Sequence, residues 1–190
     1  MNKTRGIWRF FLLSGWLTLA GCGVSAATAP APTEALQVIC TPLTGDGGAV
    51  AVRVAIENVS DDTLHILNSW RMPYLLEQDG DLVILYGVNP PDPNVEYFMI
   101  EIPTTQRLPP GARVEDEVSL TPLHLGDHYS LPRERNSPVT RHGAATVYCE
   151  VGWGRTPILS SPEEQNVRNI NQLIAWQQIS RAEPVQLQFP

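Results

Sequence analysis

"AVAVRVAIENVSDDTLHIL", Ala49 to Leu67, decides the fold. Val50, Val52, Val54 and Ile56 share one face of an extended chain, and Ala51, Arg53, Ala55 and Glu57 share the other. Apolar residues that recur with period two mark a half-buried strand, because successive strand side chains point to opposite sides. "NVSDD", Asn58 to Asp62, is a turn of residues that bond their own backbone, and Thr63 to Asn68 returns with Leu64 and Ile66 on one face. A hairpin follows from this pattern.

The same alternation extends along most of the chain. Asp79 and Gly80 stand between "LLEQ" and "DLVILY", which suits a two-residue type I′ turn, since both central positions need positive φ. Val95–Ile102, Arg113–Leu120, Ala144–Trp153 and Pro184–Phe189 bring the total to about eight strands. Glu115 and Glu117 face away from Val114 and Val118, as a solvated face requires. "RLPPGAR", Arg107 to Arg113, ends one strand before the next, because proline has no donor for a central ladder. "SPEE", Ser161 to Glu164, carries a cap residue, a proline at the first helical position and a carboxylate three residues after the serine. A helix over Pro162 to about Ile174 follows, with a strand over Leu173–Ile179 as the competing assignment. Trp70, Trp153 and Trp176 are expected to pack in the core or at its edges.

Short strands, Pro-Gly turns and no βαβ rhythm give a mainly all-β domain over residues 35–190, a two-sheet sandwich with one short helix near the C-terminus. "AVAVRVAIENVSDDTLHIL" followed by "LPPGARVEDEVSL", Leu108 to Leu120, resembles the strand pairs of bacterial immunoglobulin-like modules. That resemblance implies an immunoglobulin-like fold. Tyr148 directly before Cys149, and Cys40 on the first strand, depart from the antibody pattern, so no family site is carried over.

Phase also addresses the cysteines. Leu36, Val38 and Cys40 share one strand face, and Ala145, Val147, Cys149, Val151 and Trp153 share another. Both thiols lie with the apolar set, so a Cys40–Cys149 disulfide is expected in an oxidising compartment, the alternative being two buried free thiols.

The compartment is read from the N-terminus. Met1–Arg9 is short and basic, Phe10–Ala20 is apolar, and small residues follow at Gly21 to Gly23, the layout of an export signal over residues 1–21. As a helix, Phe10–Gly21 spans about 18 Å. That falls short of the roughly 30 Å hydrocarbon core, so a retained spanning anchor is the weaker reading. Leu19, Ala20, Gly21 and Cys22 resemble the lipobox of the bacterial lipoprotein class. The resemblance implies cleavage between Gly21 and Cys22, with a diacylglycerol on the Cys22 thiol and an acylated amino terminus. It also places the protein in the cell envelope, at the outer membrane facing the periplasm in a two-membrane cell, since Gly23 stands where an aspartate favours inner-membrane retention. Two or three acyl chains hold a protein where one does so only marginally. Residues 22–34 then form an Ala/Pro/Thr-rich tether. An ordinary cleavage site near Ser25–Ala27 is the competing assignment.

Composition narrows the partner. Subtracting the three basic residues of the leader from thirteen leaves ten against twenty acidic residues, which argues against a nucleic-acid partner. No H-E-x-x-H, G-x-S-x-G, phosphate-loop lysine or C-x-x-C occurs, and no metal or cofactor is expected. The stretch of most interest is "HLGDHYSLPRERNSPVTRH", His124 to His142, with three of the four histidines and Arg133, Arg135 and Arg141. Forked guanidinium groups suit an anionic partner, such as a lipid headgroup, a cell-wall polymer or an acidic envelope protein. The expectation is a lipid-anchored envelope protein that acts as a non-enzymatic binding or assembly module, held to the membrane through Cys22. The alternative is an envelope hydrolase or metal-dependent enzyme that uses His124, His128 and His142 with Asp127.

Overall fold

The computed structural model describes residues 34–44, 49–95, 97, 101–131, 137–159, 161 and 163–190. Ten strands and one helix lie among them: β1 (Leu36–Thr44), β2 (Val50–Asn58), β3 (Leu64–Asn68), β4 (Tyr74–Gln78), β5 (Asp81–Tyr86), β6 (Thr104–Leu108), β7 (Arg113–Ser119), β8 (Gly143–Gly154), α1 (Ile170–Trp176), β9 (Gln178–Arg181) and β10 (Val185–Phe189). The fold is an all-β sandwich of two sheets that do not close into a barrel, as the alternation predicts.

The small sheet is antiparallel in the order β1-β2-β7. β2 is its centre, with Val54 opposite Cys40 on one side and Asp116 on the other. The large sheet is assembled on β8. Val147 pairs with Leu82 of β5 and Val185 of β10, while Val151 pairs with Tyr86 of β5 and Ser180 of β9. β9 and β10 therefore share one edge of β8. β5 runs parallel along the other edge, where β3 takes over at Trp153. β4 extends the sheet from β5 and β6 extends it from β3. The Asp79–Gly80 turn between β4 and β5 has φ of 53° and 88°, the left-handed pair that the sequence predicts.

Between the sheets lies the main core, which includes Leu36, Val52, Val54, Leu64, Ile84, Val147 and Trp153. Cys40 and Cys149 meet across it as a disulfide, with Cα atoms 5.9 Å apart and a sequence separation of 109. The phase argument thus holds for both thiols.

The outer face of the large sheet is apolar too. Leu82, Val83, Ile84 and Leu85 are all buried, so β5 is covered on both sides. One cover is the stretch from Leu123 to Tyr129, which runs beside β4 through Gly126 N–H to Leu75 O (2.8 Å). The other comes from residues 155–159 and 163–177, whose Ile158, Val167 and Leu173 pack on Leu67 and Val88. Gly152 and Gly154 let this cover lie flat. A Cβ at Gly154 would stand 2.5 Å from the Trp176 ring, and one at Gly152 would stand 2.8 Å from Gln177 Oε1. Gln177 in turn accepts from Val88 N–H (3.1 Å) and donates to Val88 O, continuing the ladder where β5 has left β8.

Four expectations change. β2 and β3 are not the expected hairpin: β2 pairs with β1 and β7 in the small sheet and β3 with β6 and β8 in the large one, so the Asn58–Asp62 turn carries the chain from one sheet to the other. Ser161 and Glu164 close a turn (Glu164 N–H to Ser161 O, 3.1 Å), but α1 begins only at Ile170, capped by the Asn169 side chain on Gln172 N–H (3.0 Å). Asn166 explains the delay: it accepts from Leu159 N–H (2.9 Å) and donates to Pro157 O (2.8 Å), holding the chain as a loop that buries Ile158 and Val167. The strand expected over Val95–Ile102 falls partly on residues outside the described set; the strand that pairs with β3 is Thr104–Leu108. Trp153 is buried, with its indole N–H on Ser180 Oγ (3.0 Å), and Trp176 packs on Gly154, but Trp70 is 84% exposed.

Candidate functional site

The described part of the histidine-rich stretch is woven into the fold. Asp127 Oδ1 accepts from Tyr129 N–H, Ser130 N–H and Ser130 O–H (2.8–2.9 Å), and Oδ2 accepts from Asn89 Nδ2 (3.2 Å). Burial acts to raise the Asp127 pKa, but these donors prevail and hold it below the ordinary carboxylate value. His128 is buried, with Nε2 2.9 Å from Glu101 O and Nδ1 2.8 Å from the Tyr74 hydroxyl. A carbonyl only accepts, so Nε2 carries a proton and donates it to Glu101 O, while Nδ1 bonds the Tyr74 hydroxyl. Both nitrogens are thereby engaged in structure. His142 is exposed and lies against Pro190 O. No group of three or more His, Cys, Asp and Glu side chains is disposed to hold a metal among the described residues.

Of the arginines expected to meet a partner, Arg133 and Arg135 lie outside the described residues, as do Gly21 and Cys22. Arg141 turns inward. It donates to Glu77 Oε1 (2.9 Å) and to Gly80 O, fastening residues 138–142 to the β4–β5 hairpin.

A different region has the form of a binding site. The sandwich is open where β7, the edge of the small sheet, faces β6, the edge of the large one. A cleft of about 240 Å³ enters between them. Its floor is Ile56, Ile66, Leu67, Met72 and Val114, and its rim is Asn68, Ser69, Tyr86, Gln106, Glu115 and Asp116. The register explains the change from apolar to polar. On the inward phase of β3 and β6, the Leu64–Leu108 pair is followed by Ile66–Gln106 and Asn68–Thr104, so amides replace aliphatics as the strands leave the core. On β7, Asp116 interrupts the inward phase between Val114 and Val118. Tyr86 of β5 spans the gap and donates to Asp116 Oδ2 (2.5 Å), while Oδ1 accepts from Glu117 N–H (2.9 Å). Burial first, then the Asp116 bond and charge, push the Tyr86 pKa far above the ordinary phenol value, so the hydroxyl keeps its proton.

The rim has a particular electrostatic character. Both carboxylates are engaged: Asp116 by Tyr86, and Glu115 by Arg113, which donates from Nη2 (2.7 Å) and Nε (2.9 Å). The side-chain amides of Asn68 and Gln106 are exposed and make no hydrogen bond within the protein among the described residues. No Lys or Arg lines the cleft. Asp116 was legible as an acid in an apolar phase, but Asn68 and Gln106 meet only through the β3–β6 register, which sequence spacing does not reveal. No family model, no curated protein and no solved structure matches the chain.

Proposed function

We propose that this protein is a lipid-anchored component of the cell envelope whose sandwich domain is a non-enzymatic binding or assembly module, with the open-edge cleft as its binding site. The observation that carries the binding half is the pairing of an apolar floor with the unbonded amides of Asn68 and Gln106 at an open sandwich edge. Small-ligand and peptide sites have this composition, a mostly apolar hollow with a few convergent polar groups. The anchoring half rests on Leu19 to Cys22 after an apolar run too short to span a bilayer. It puts the protein at the outer membrane facing the periplasm in a two-membrane cell. Anchoring confines the domain to the membrane surface and raises its effective concentration toward envelope partners. The engagement of both His128 nitrogens in the fold weighs against the hydrolase or metal-enzyme alternative.

Two measurements test the two halves. The intact mass of protein extracted from membranes is expected to begin at Cys22 and include acyl chains; an unmodified full-length mass refutes the lipid anchor. A photo-crosslinking side chain placed at Gln106 in cells is expected to capture a species that the same group at Thr41, on the far face of the small sheet, does not. Equal capture from the two positions removes the cleft as the binding site.

A further inference from the structure

Trp70 is the least expected feature beside this cleft. It follows Ser69, a rim residue, and its side chain is 84% exposed. The turn that presents it is braced. Met72 N–H donates to Ser69 O (3.0 Å), Arg71 N–H to Ser69 Oγ (3.2 Å), and Ser69 Oγ to Glu101 Oε1 (3.3 Å). Arg71 Nη2 donates to Ser130 O (2.9 Å), and Arg71 Nη1 lies 3.8 Å from Glu101 Oε2. That guanidinium stands 6.0 Å from the centre of the Trp70 ring, at the limit of a cation–π contact. A large aromatic held in water on a fixed turn is what binding surfaces use as an anchor, because little conformational freedom is lost when a partner covers it.

The rim chemistry then selects the ligand class. An anion meets Glu115 and Asp116, and no Lys or Arg is among the residues that line the cleft. A cation finds both carboxylates already neutralised by Arg113 or bonded by Tyr86. A wholly apolar ligand buries the two amides without partners, which is unfavourable. An uncharged polyol satisfies all of them: each hydroxyl both gives and accepts a hydrogen bond, as the Asn68 and Gln106 amides do, and the C–H face of a sugar ring covers an indole. At about 240 Å³ the cleft is smaller than the roughly 300–1,000 Å³ of a typical ligand pocket, so it holds one unit of a chain whose neighbours run along the rim.

We infer that the cleft binds an uncharged saccharide, with Asn68 and Gln106 bonding its hydroxyls and Trp70 stacking on an adjoining ring. This rests on the cleft being the binding site, not on the lipid anchor. The test is NMR titration of the mature protein with chitotriose, maltotriose and cellotriose, up to ~10 mM so that a millimolar Kd is seen. Trilysine and tri-galacturonate serve as charged controls. At least one neutral trisaccharide is expected to shift the Trp70 indole and the Asn68 and Gln106 side-chain amides. Trp70→Ala should weaken that binding by roughly tenfold or more, and Gln106→Ala by a smaller factor. All three side chains are exposed, so thermal midpoints should stay unchanged and a folding defect is separable. The inference is overturned if no neutral trisaccharide shifts these signals, if Trp70→Ala binds as tightly as the parent, or if either charged control binds more tightly. A partner captured from Gln106 in cells that neutral sugars do not displace also overturns it, while leaving the cleft as a binding site.

Discussion

The outer faces of the two sheets differ in what covers them. On the small sheet, Arg53 of β2 pairs with Glu117 of β7 (2.7 Å), and Arg113 joins Glu115 (2.7 Å) to Glu57 (3.4 Å), so the outer face of these two strands carries charge and meets water. On the large sheet, the corresponding face carries Tyr74, Val83 and Leu85 with Leu76 and Tyr148 beside them, and it is overlaid by two non-strand segments. One sheet is half of a two-layer sandwich; the other is the middle of three layers. The histidine-rich segment and the stretch that carries α1 form the third layer, which is why His128 and Asp127 are held in structural bonds.

Three variants separate these faces. The largest effect is expected from Cys40→Ala with Cys149→Ala, which unties the small sheet from β8. Loss of a cross-link over 109 residues should lower unfolding free energy by about 4–5 kcal/mol on the chain-entropy model, read from the urea midpoint. An unchanged midpoint would mean that the sheets hold each other without it. Gly154→Ala should act on the large sheet alone. Its Cβ meets the Trp176 ring at 2.5 Å and displaces the indole from Thr156 O (3.0 Å). Overpacking of this kind costs about 1–3 kcal/mol, and amide exchange should rise in α1 while β2 stays protected. The smallest effect is expected from Arg53→Gln with Glu117→Gln. Both side chains are solvent-exposed, and exposed pairs of this kind are screened by water and salt. The thermal midpoint should not move measurably, and a clear fall would show that the charged face is part of the stabilising structure.

The same contrast explains what the sequence made legible. β2, β7 and the Asp79–Gly80 hairpin follow period two or a turn dipeptide, so their placement depends on neighbours only one or two residues away. The disulfide followed from phase on β1 and β8. Signals failed where tertiary packing overrides local preference: the Ser161–Glu164 capping pattern yields a turn because Asn166 and the burial of Val167 demand a loop there. The site was not read from the sequence. Asp116 shares the phase of Val114 and Val118, a signal that the alternation carries and that was passed over, and bringing it near Tyr86, Asn68 and Gln106 depends on two sheets and on a strand displaced from its expected position. Trp70 was misassigned because hydrophobicity alone does not distinguish an aromatic that packs from one that is presented.

β8 has a consequence for the order of events in the chain's life. β3, β5, β9 and β10 all pair with residues 143–154, and Cys149 lies within them. A chain emerging from its N-terminus can therefore pair β1, β2 and β7, but the β3–β6 and β4–β5 pairs have no common strand to join until β8 arrives, and Cys40 has no Cys149 to meet. Such late closure leaves the first two-thirds of the domain without its large sheet until the last third has been made, so the fold is completed only near the end of synthesis.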